Sequence, residues 1–463
     1  MATNVADVKE DPYLLTPEGI KDPPKGWVAS LKYLGPGLIL SASIVGSGEL
    51  IATTTMGAKA GFALLWVVIF STLVKVALQI ELARWTIATG KPALTGYNDV
   101  PPKVGRLGWI NLLWLVMAAS KVVQVAGIMG GTAVAMSILI PIGGDPMGKT
   151  SIAAWVAILI VFSIAMLWSN RYGLIEKGAV ALVVIFSIVT IIIAAGLPFT
   201  QYAYGVSDIL GGLALQVPAG TLLLAVGMFG ITGVGADEIT FYTYWCVEKG
   251  YARWTGPNDG SPEWTERAKG WTKVMYKDAL ISWLVYTIGT VAFFIMGAAV
   301  LHPQNLVPQG NGMITTLSRI YTDIIGEWAS VLFLIGAVAV LGSTMWASIP
   351  SHSRMWVNFL HTAKAVDWSN PVQRLKWIRF FTVLLPILWG ALYLLTSNPV
   401  TLVLIGGVAT SVFLVAVVVA TWYLRNTQTP KQLWGGKGFN IALIISSIAI
   451  IAVGAATLFD LLT

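Results

Sequence analysis

Residues 44–52 read Ile44-Val45-Gly46-Ser47-Gly48-Glu49-Leu50-Ile51-Ala52, two glycines, a serine and a carboxylate set inside a long apolar run. Unwound backbone in hydrocarbon leaves N–H and C=O groups unsatisfied at several kcal/mol each. It persists only where it lines a wet cavity or binds something. A carboxylate at the centre of a membrane span costs about 2.5–3.5 kcal/mol on insertion scales, which makes Glu49 a functional candidate by default. The stretch therefore predicts a helix interrupted on purpose.

That the run crosses a membrane follows from the rest of the chain. Of 463 residues, 56% are hydrophobic and only 11% charged, with a mean hydropathy of +0.75. Soluble domains carry about a quarter charged residues, so the chain reads as an all-α integral membrane protein. A span needs about 20 mostly apolar residues. On that rule eleven transmembrane helices are expected, at 35–58, 62–84, 108–140, 152–168, 175–197, 219–245, 279–301, 328–350, 378–396, 399–424 and 439–461.

With the N-terminus inside, the inner segments hold 24 of the 29 Lys and Arg, Arg171 and Lys177 among them. The outer loops hold only Lys59, Lys149 and Arg319, and Lys75 and Lys121 fall within spans. The positive-inside rule then places the N-terminus in the cytoplasm and the C-terminus outside, in a bacterial-type inner (plasma) membrane. These flanks account for the net charge of +7, so the partner implied is the lipid bilayer and no nucleic acid. Trp27, Trp109, Trp168, Trp254, Trp328, Trp377 and Trp422 fall near predicted span ends, as interfacial anchors do. The first 32 residues lack a charged-then-apolar signal pattern, so no cleaved signal peptide is expected. A single cysteine, Cys246, excludes an internal disulfide and reads as a small apolar filler.

The chain divides into a cytoplasmic segment at 1–32, a five-span block at 33–197, a second at 219–424 and an extra eleventh span at 438–463. A cytoplasmic connector at 246–277 lies within the second block. There Ser261 is placed to cap a short helix with Pro262 and Glu263 in its first turn. The two blocks echo each other. Span 6 is interrupted by Gly230-Ile231-Thr232-Gly233-Val234-Gly235-Ala236-Asp237-Glu238, and, like span 1, it is a glycine-broken run that ends in acid and opens five spans. Paired interruptions of this kind point to inverted repeats with a substrate site at the membrane midplane. Free carbonyls and carboxylates make an all-oxygen surface suited to a hard cation.

The site expected from this pattern has Glu49 and Asp237 as negative charges and Glu238 in support. Gly46, Gly233 and Gly235 leave room and free carbonyls, and Ser47 and Thr232 contact water. Lys75 and Lys121 read as structural counter-charges, Arg379 as a topological charge, and His302, His352 and His361 as loop residues outside the pocket. No nucleophile–base pair, His-rich cluster or phosphate loop is visible, so neither an enzyme nor a cofactor is implied.

Gly35-Pro36-Gly37, Leu78-Gln79-Ile80-Glu81-Leu82-Ala83-Arg84 with Thr89-Gly90-Lys91, and Gly131-Thr132-Ala133-Val134-Ala135-Met136 resemble the Nramp divalent-metal transporters. The resemblance covers about residues 30–425. It implies a LeuT-like inverted 5+5 repeat with discontinuous helices 1 and 6 and a divalent metal ion as substrate. At the site the chain departs from the family. Gly46-Ser47-Gly48-Glu49 stands where the family has Asp-Pro-Gly-Asn, and Thr232 to Glu238 stands for Ala-Thr-Val-Met-Pro-His-Asn. Gly407 aligns with the family's span-10 glutamine. A soft methionine thioether favours transition metals, and here it is replaced by Gly235. Ligands and bulk are removed while acids are kept or added, a pattern similar to the Nramp-related magnesium transporters. Mg²⁺ demands octahedral oxygen geometry and usually keeps several waters.

The family's span-3 proton acids fall on Val125 and Ile128 and its span-6 histidine on Asp237, so uncoupled transport is expected. A divalent ion crossing 100 mV gains about 4.6 kcal/mol, some three decades of accumulation at about 1.4 kcal/mol per decade. The expectation is a monomeric uniporter for hydrated Mg²⁺, with Mn²⁺ second, working by alternating access. Two alternatives stay open: a proton-coupled Mn²⁺/Fe²⁺ transporter in which Asp237 takes the proton, and an organic-substrate carrier of the same fold.

Overall fold

The computed structural model describes residues 11–44, 46–168 and 172–462, with backbone alone for Ala42, Ser47, 172–182 and 460–462. Arg171 and the side chain of Lys177, counted above as inner charges, lie outside the described part. Among the described residues nearly everything regular is helix; the one sheet pairs Lys103–Val104 with Leu107–Gly108. In hydrocarbon a helix satisfies every backbone group within one segment, which is what so apolar a chain requires.

Nine helical runs among the described residues are long and apolar enough to span a bilayer. They are Gly48–Thr89, Trp109–Leu139, Lys149–Trp168, Leu222–Lys249, Pro262–Gln304, Ala329–Thr362, Pro371–Thr396, Pro399–Thr427 and Lys437–Phe459, and Val183–Phe199 is a shorter apolar helix. The runs expected at 35–58 and 62–84 meet in the first of these, divided at Gly61, whose φ of +58° turns the chain. The apolar window of Leu222–Lys249 is 83% buried, against 33% for Lys149–Trp168 and for Lys437–Phe459. The second interrupted run is therefore central, and the last helix peripheral.

Both interruptions are visible in the backbone. Pro36–Ile44 is a nine-residue helix whose N-terminus is capped by a distant acid: Asp278 accepts from Gly35 N–H at 2.8 Å and Gly37 N–H at 2.5 Å. Beyond it, Gly46 sits at φ −91°, ψ −98°, and Ser47–Thr53 forms a wide π-type turn before Thr54–Ala60 resumes as α-helix. The Thr53 and Thr54 hydroxyls donate back to the carbonyls of Gly48 and Glu49, at 2.8 and 3.2 Å. In the second run Leu222–Ile231 stops at extended Thr232, Gly233 takes φ +68°, and Ala236–Lys249 starts after extended Gly235.

Two helices are longer than their apolar runs. Ser261 caps as expected, accepting from Trp264 N–H at 3.0 Å, but the helix it starts is not short. Pro262–Met296 runs 35 residues from the connector into the next span, since Pro262 stands at its first turn and no proline follows. Ala329–Thr362 likewise continues twelve residues beyond the expected end at 350, with Pro350 in its interior.

Residues 11–26 lie as a strap across one end of the bundle. Asp11 pairs with Arg374 at 2.6 Å, and Tyr13 Oη donates to Glu248 at 2.8 Å. Lys21 N–H donates to Trp254 O at 2.9 Å, and Trp271 Nε1 donates to Lys21 O at 2.8 Å. Burial first, and the Glu248 charge second, push the Tyr13 hydroxyl well above its usual range, which keeps it a donor.

Candidate functional site

The two interruptions face each other. A Cβ built on Gly48 would lie 3.1 Å from the Ile231 carbonyl oxygen. Around this meeting point stand residues from several helical segments.

Glu49 is fully buried in the π turn. Its Oε1 accepts from Thr290 Oγ1 at 2.8 Å, while Oε2 has no protein partner. Thr290 has one hydroxyl proton and a second acceptor, Tyr286 O at 2.7 Å, so it serves either oxygen. Asp237 sits in the first turn of Ala236–Lys249, where the helix dipole favours an anion. Its Oδ2 lies 2.7 Å from His352 Nε2 and 3.9 Å from Lys121 Nζ, and its Oδ1 is unpartnered. Glu238 Oε1 lies 3.6 Å from the same ammonium, and its Oε2 is unpartnered.

Lys75, expected as a structural counter-charge, is held by backbone carbonyls. Its Nζ donates to Phe229 O at 2.6 Å and Thr232 O at 2.5 Å, with Ser71 Oγ on the same carbonyls at 3.2 and 3.0 Å. Of the carbonyls at this break, those of Phe229 and Thr232 are thus not free. A broken helix ends in orphan acceptors with partial negative charge, and a buried ammonium needs partners, so the two satisfy each other.

The glycines also have a different task from leaving room. A Cβ on Gly46 would stand 1.6 Å from Thr344 Oγ1 and 2.9 Å from Val340 O, so Gly46 lets the interruption press onto the Ala329–Thr362 helix. Gly407, expected beside the ion, lies where a Cβ would meet Gly227 O at 2.4 Å, in a close crossing with Leu222–Ile231. A Cβ on Gly235 would meet Glu238 Oε2 at 2.5 Å. Gly233 is needed for its left-handed φ. Thr232 is buried with Oγ1 unpartnered, and the Ser47 side chain lies outside the described part.

His352 is a correction. It was expected in a loop outside the pocket, but the helix runs past the apolar segment and carries it, buried, to Asp237. Thr344, Ser348 and His352 are spaced four apart, a polar stripe on one helix face that could have revealed it. Thr290 and Tyr286, also four apart, were missed as well. His302 lies against Ala58 O at 2.9 Å and His361 against Val366 O at 3.1 Å, both away from the cluster. Val125 and Ile128 are buried apolar residues, Cys246 is buried, and Arg379 stacks over Trp168.

Three carboxylates, two ammonium groups and one imidazole thus meet in the interior. Among the described residues no three His, Cys, Asp or Glu side chains are close enough to hold one ion directly. What the cluster presents is a set of buried oxygens without protein partners: Glu49 Oε2, Asp237 Oδ1, Glu238 Oε2, Thr232 Oγ1 and Tyr286 Oη. Such acceptors suit the hydrogen atoms of a cation's water shell.

A family model described as natural resistance-associated macrophage protein-like matches residues 37–460. The chain belongs to the Nramp family. Among its Nramp relatives, the metal transporter nramp1 homolog of Dictyostelium discoideum is 29% identical over 36% of this chain and 30% of its own length. The divalent metal cation transporter MntH of Xanthomonas campestris is 24% identical over 61% of this chain and 59% of its own. The chain thus spans less than two thirds of the length of either. The Eremococcus coleocola manganese transporter, solved with an aromatic bis-isothiourea substituted compound, shares 16% identity and a TM-score of 0.63, covering 94% of this chain and 89% of that one. MhsT in complex with L-phenylalanine has a TM-score of 0.53 at 14% identity, covering 94% and 100%. At these identities the likeness is one of fold.

Proposed function

We propose that this Nramp chain carries divalent cations across a membrane, chiefly hydrated Mg²⁺ with Mn²⁺ second. The carrying observation is the set of unpartnered buried oxygens on Glu49, Asp237, Glu238 and Thr232. Unpartnered oxygens of this kind suit the water shell of Mg²⁺, which dehydrates reluctantly. The names of the relatives, metal transporters among them, support the substrate class.

On this reading the chain has eleven spans, N-terminus in the cytoplasm and C-terminus outside, in a bacterial-type plasma membrane. Blocks 33–197 and 219–424 form the inverted repeats, 438–463 is the added span, and the carrier works as a monomer. The interrupted helices hold the ion while their bundle rocks against the other spans. Glu49, Asp237 and Glu238 supply the attraction, and Thr232 and Ser47 meet the water shell. Gly46, Gly233, Gly235 and Gly407 permit the close approaches that bring the acids together. The membrane potential alone drives uptake.

In proteoliposomes, Glu49→Gln and Asp237→Asn should each lower Mg²⁺ flux by about tenfold or more, the loss of one favourable charge at about 1.4 kcal/mol per decade. Wild-type flux in both variants would overturn the site. A second reading, proton-coupled transport, is favoured by one observation, the 2.7 Å contact of His352 with Asp237. A pH dye in the lumen separates the two: uncoupled uptake leaves the lumen's pH unchanged, and metal-driven acidification would establish coupling.

A further inference from the structure

We propose that Lys121 is a tethered stand-in for the transported cation, occupying the acids while the carrier is empty. The inference rests on the divalent-cation reading above. Lys121 Nζ lies 3.6 Å from Glu238 Oε1 and 3.9 Å from Asp237 Oδ2, ion-pair separations too long for direct N–H···O hydrogen bonds. Its side chain is 3% exposed, and each carboxylate keeps one oxygen without a partner. The ammonium is attracted to the acids without being locked to either. Lys75 contrasts with it: the carbonyls of Phe229 and Thr232 hold that ammonium at hydrogen-bond distance, which is a fixed structural role.

Formal charge gives the consequence. Glu49, Asp237 and Glu238 against Lys75 and Lys121 sum to −1 with His352 neutral. A divalent ion brings the sum to +1. Both legs of the cycle then move a single net charge through a medium that penalises buried charge steeply. Without Lys121 the loaded site would be neutral and the empty site −2. An uncoupled carrier must return empty, so Lys121 lowers the cost of that return and weakens substrate binding in exchange. Its compact charge on a flexible four-carbon stem can swing aside as the ion arrives.

The test compares wild type with Lys121→Gln, Lys121→Met and Lys121→Arg in three measurements. These are titration calorimetry with Mg²⁺ and Mn²⁺, net uptake into metal-free vesicles, and exchange of external Mn²⁺ for internal Mg²⁺. For Lys121→Gln we expect binding about tenfold tighter, net uptake slowed about tenfold or more, and exchange within about threefold of wild type. Lys121→Arg should restore the wild-type ratio of net uptake to exchange. Lys121→Met keeps the stem and covers the case in which the Gln variant fails to fold. Weaker binding in the neutral variants, or net uptake and exchange falling together, would overturn the stand-in role. Unchanged binding and rates would also overturn it while leaving the divalent-cation reading intact. If wild-type protein binds neither metal, that reading fails and this inference with it.

Discussion

A single missing methyl group fixes how close two helices come. Thr344 and Val340 fill the space that a side chain at position 46 would need, so the interruption is pinned by contact. Gly46→Ala forces a clash with the β-carbon and hydroxyl of Thr344, and overpacking of this kind costs about 1–3 kcal/mol. We expect a clear fall in thermal unfolding temperature, and the double variant with Thr344→Gly should recover part of it. Strict additivity of the two changes would contradict direct contact. At this scale charge could be read from the sequence far better than space. Glu49, Asp237 and Glu238 stand out in an apolar chain, and Asp237 and Glu238 share the Lys121 ammonium. The glycines beside them also stand out, but whether a glycine makes room or lets a neighbour in depends on what faces it. Thr344, almost 300 residues away, faces Gly46 and is invisible from residues 44–52.

At the scale of helices, the interruptions were readable because glycine clusters beside acids have few other uses in hydrocarbon. The lengths of the intact helices were not. Hydropathy marks where a helix is greasy, whereas the helix itself ends where backbone bonding ends. His352 and the Ser261 cap both lie on helical extensions that carry polar residues past the apolar limit. The short Pro36–Ile44 helix is held at its start by Asp278, which also accepts from Tyr242 Oη at 2.9 Å. Asp278→Asn keeps the shape but loses one acceptor and the charge, weakening bonds that are each stronger for being charge-assisted. In a Cys246→Ala background with Ser41→Cys as reporter, thiol labelling should then speed up by about tenfold. Ser41 is buried and its hydroxyl lies 2.8 Å from Ser282 Oγ, so labelling reads the release of this helix. Equal labelling rates would mean that Asp278 does not hold it.

For the molecule as a whole, composition predicted a membrane protein and the placement of Lys and Arg a side for each loop, whereas the repeat architecture came from the paired interruptions and the resemblance. None of these gave a view of the strap, because residues 11–26 have neither the apolar period of a span nor a recognisable motif. Their placement comes from partners spread along the chain, Glu248, Trp254, Trp271 and Arg374. The Asp11–Arg374 pair is 8% exposed on each side, so losing one partner strands a largely buried guanidinium. Asp11→Asn should therefore raise amide hydrogen exchange across residues 13–26 while leaving Trp109–Leu139 protected. Unchanged exchange would show that the ion pair does not secure the strap.

The strap also orders events during synthesis. Arg374 lies 363 residues after Asp11. At ribosomal speeds of about 5–20 residues per second, the first acid of the pair leaves the tunnel about 20–70 seconds before its partner is made. The strap is consequently among the last segments to settle. A fusion at the front end trails from a docking segment throughout that wait, whereas one at the back end does not.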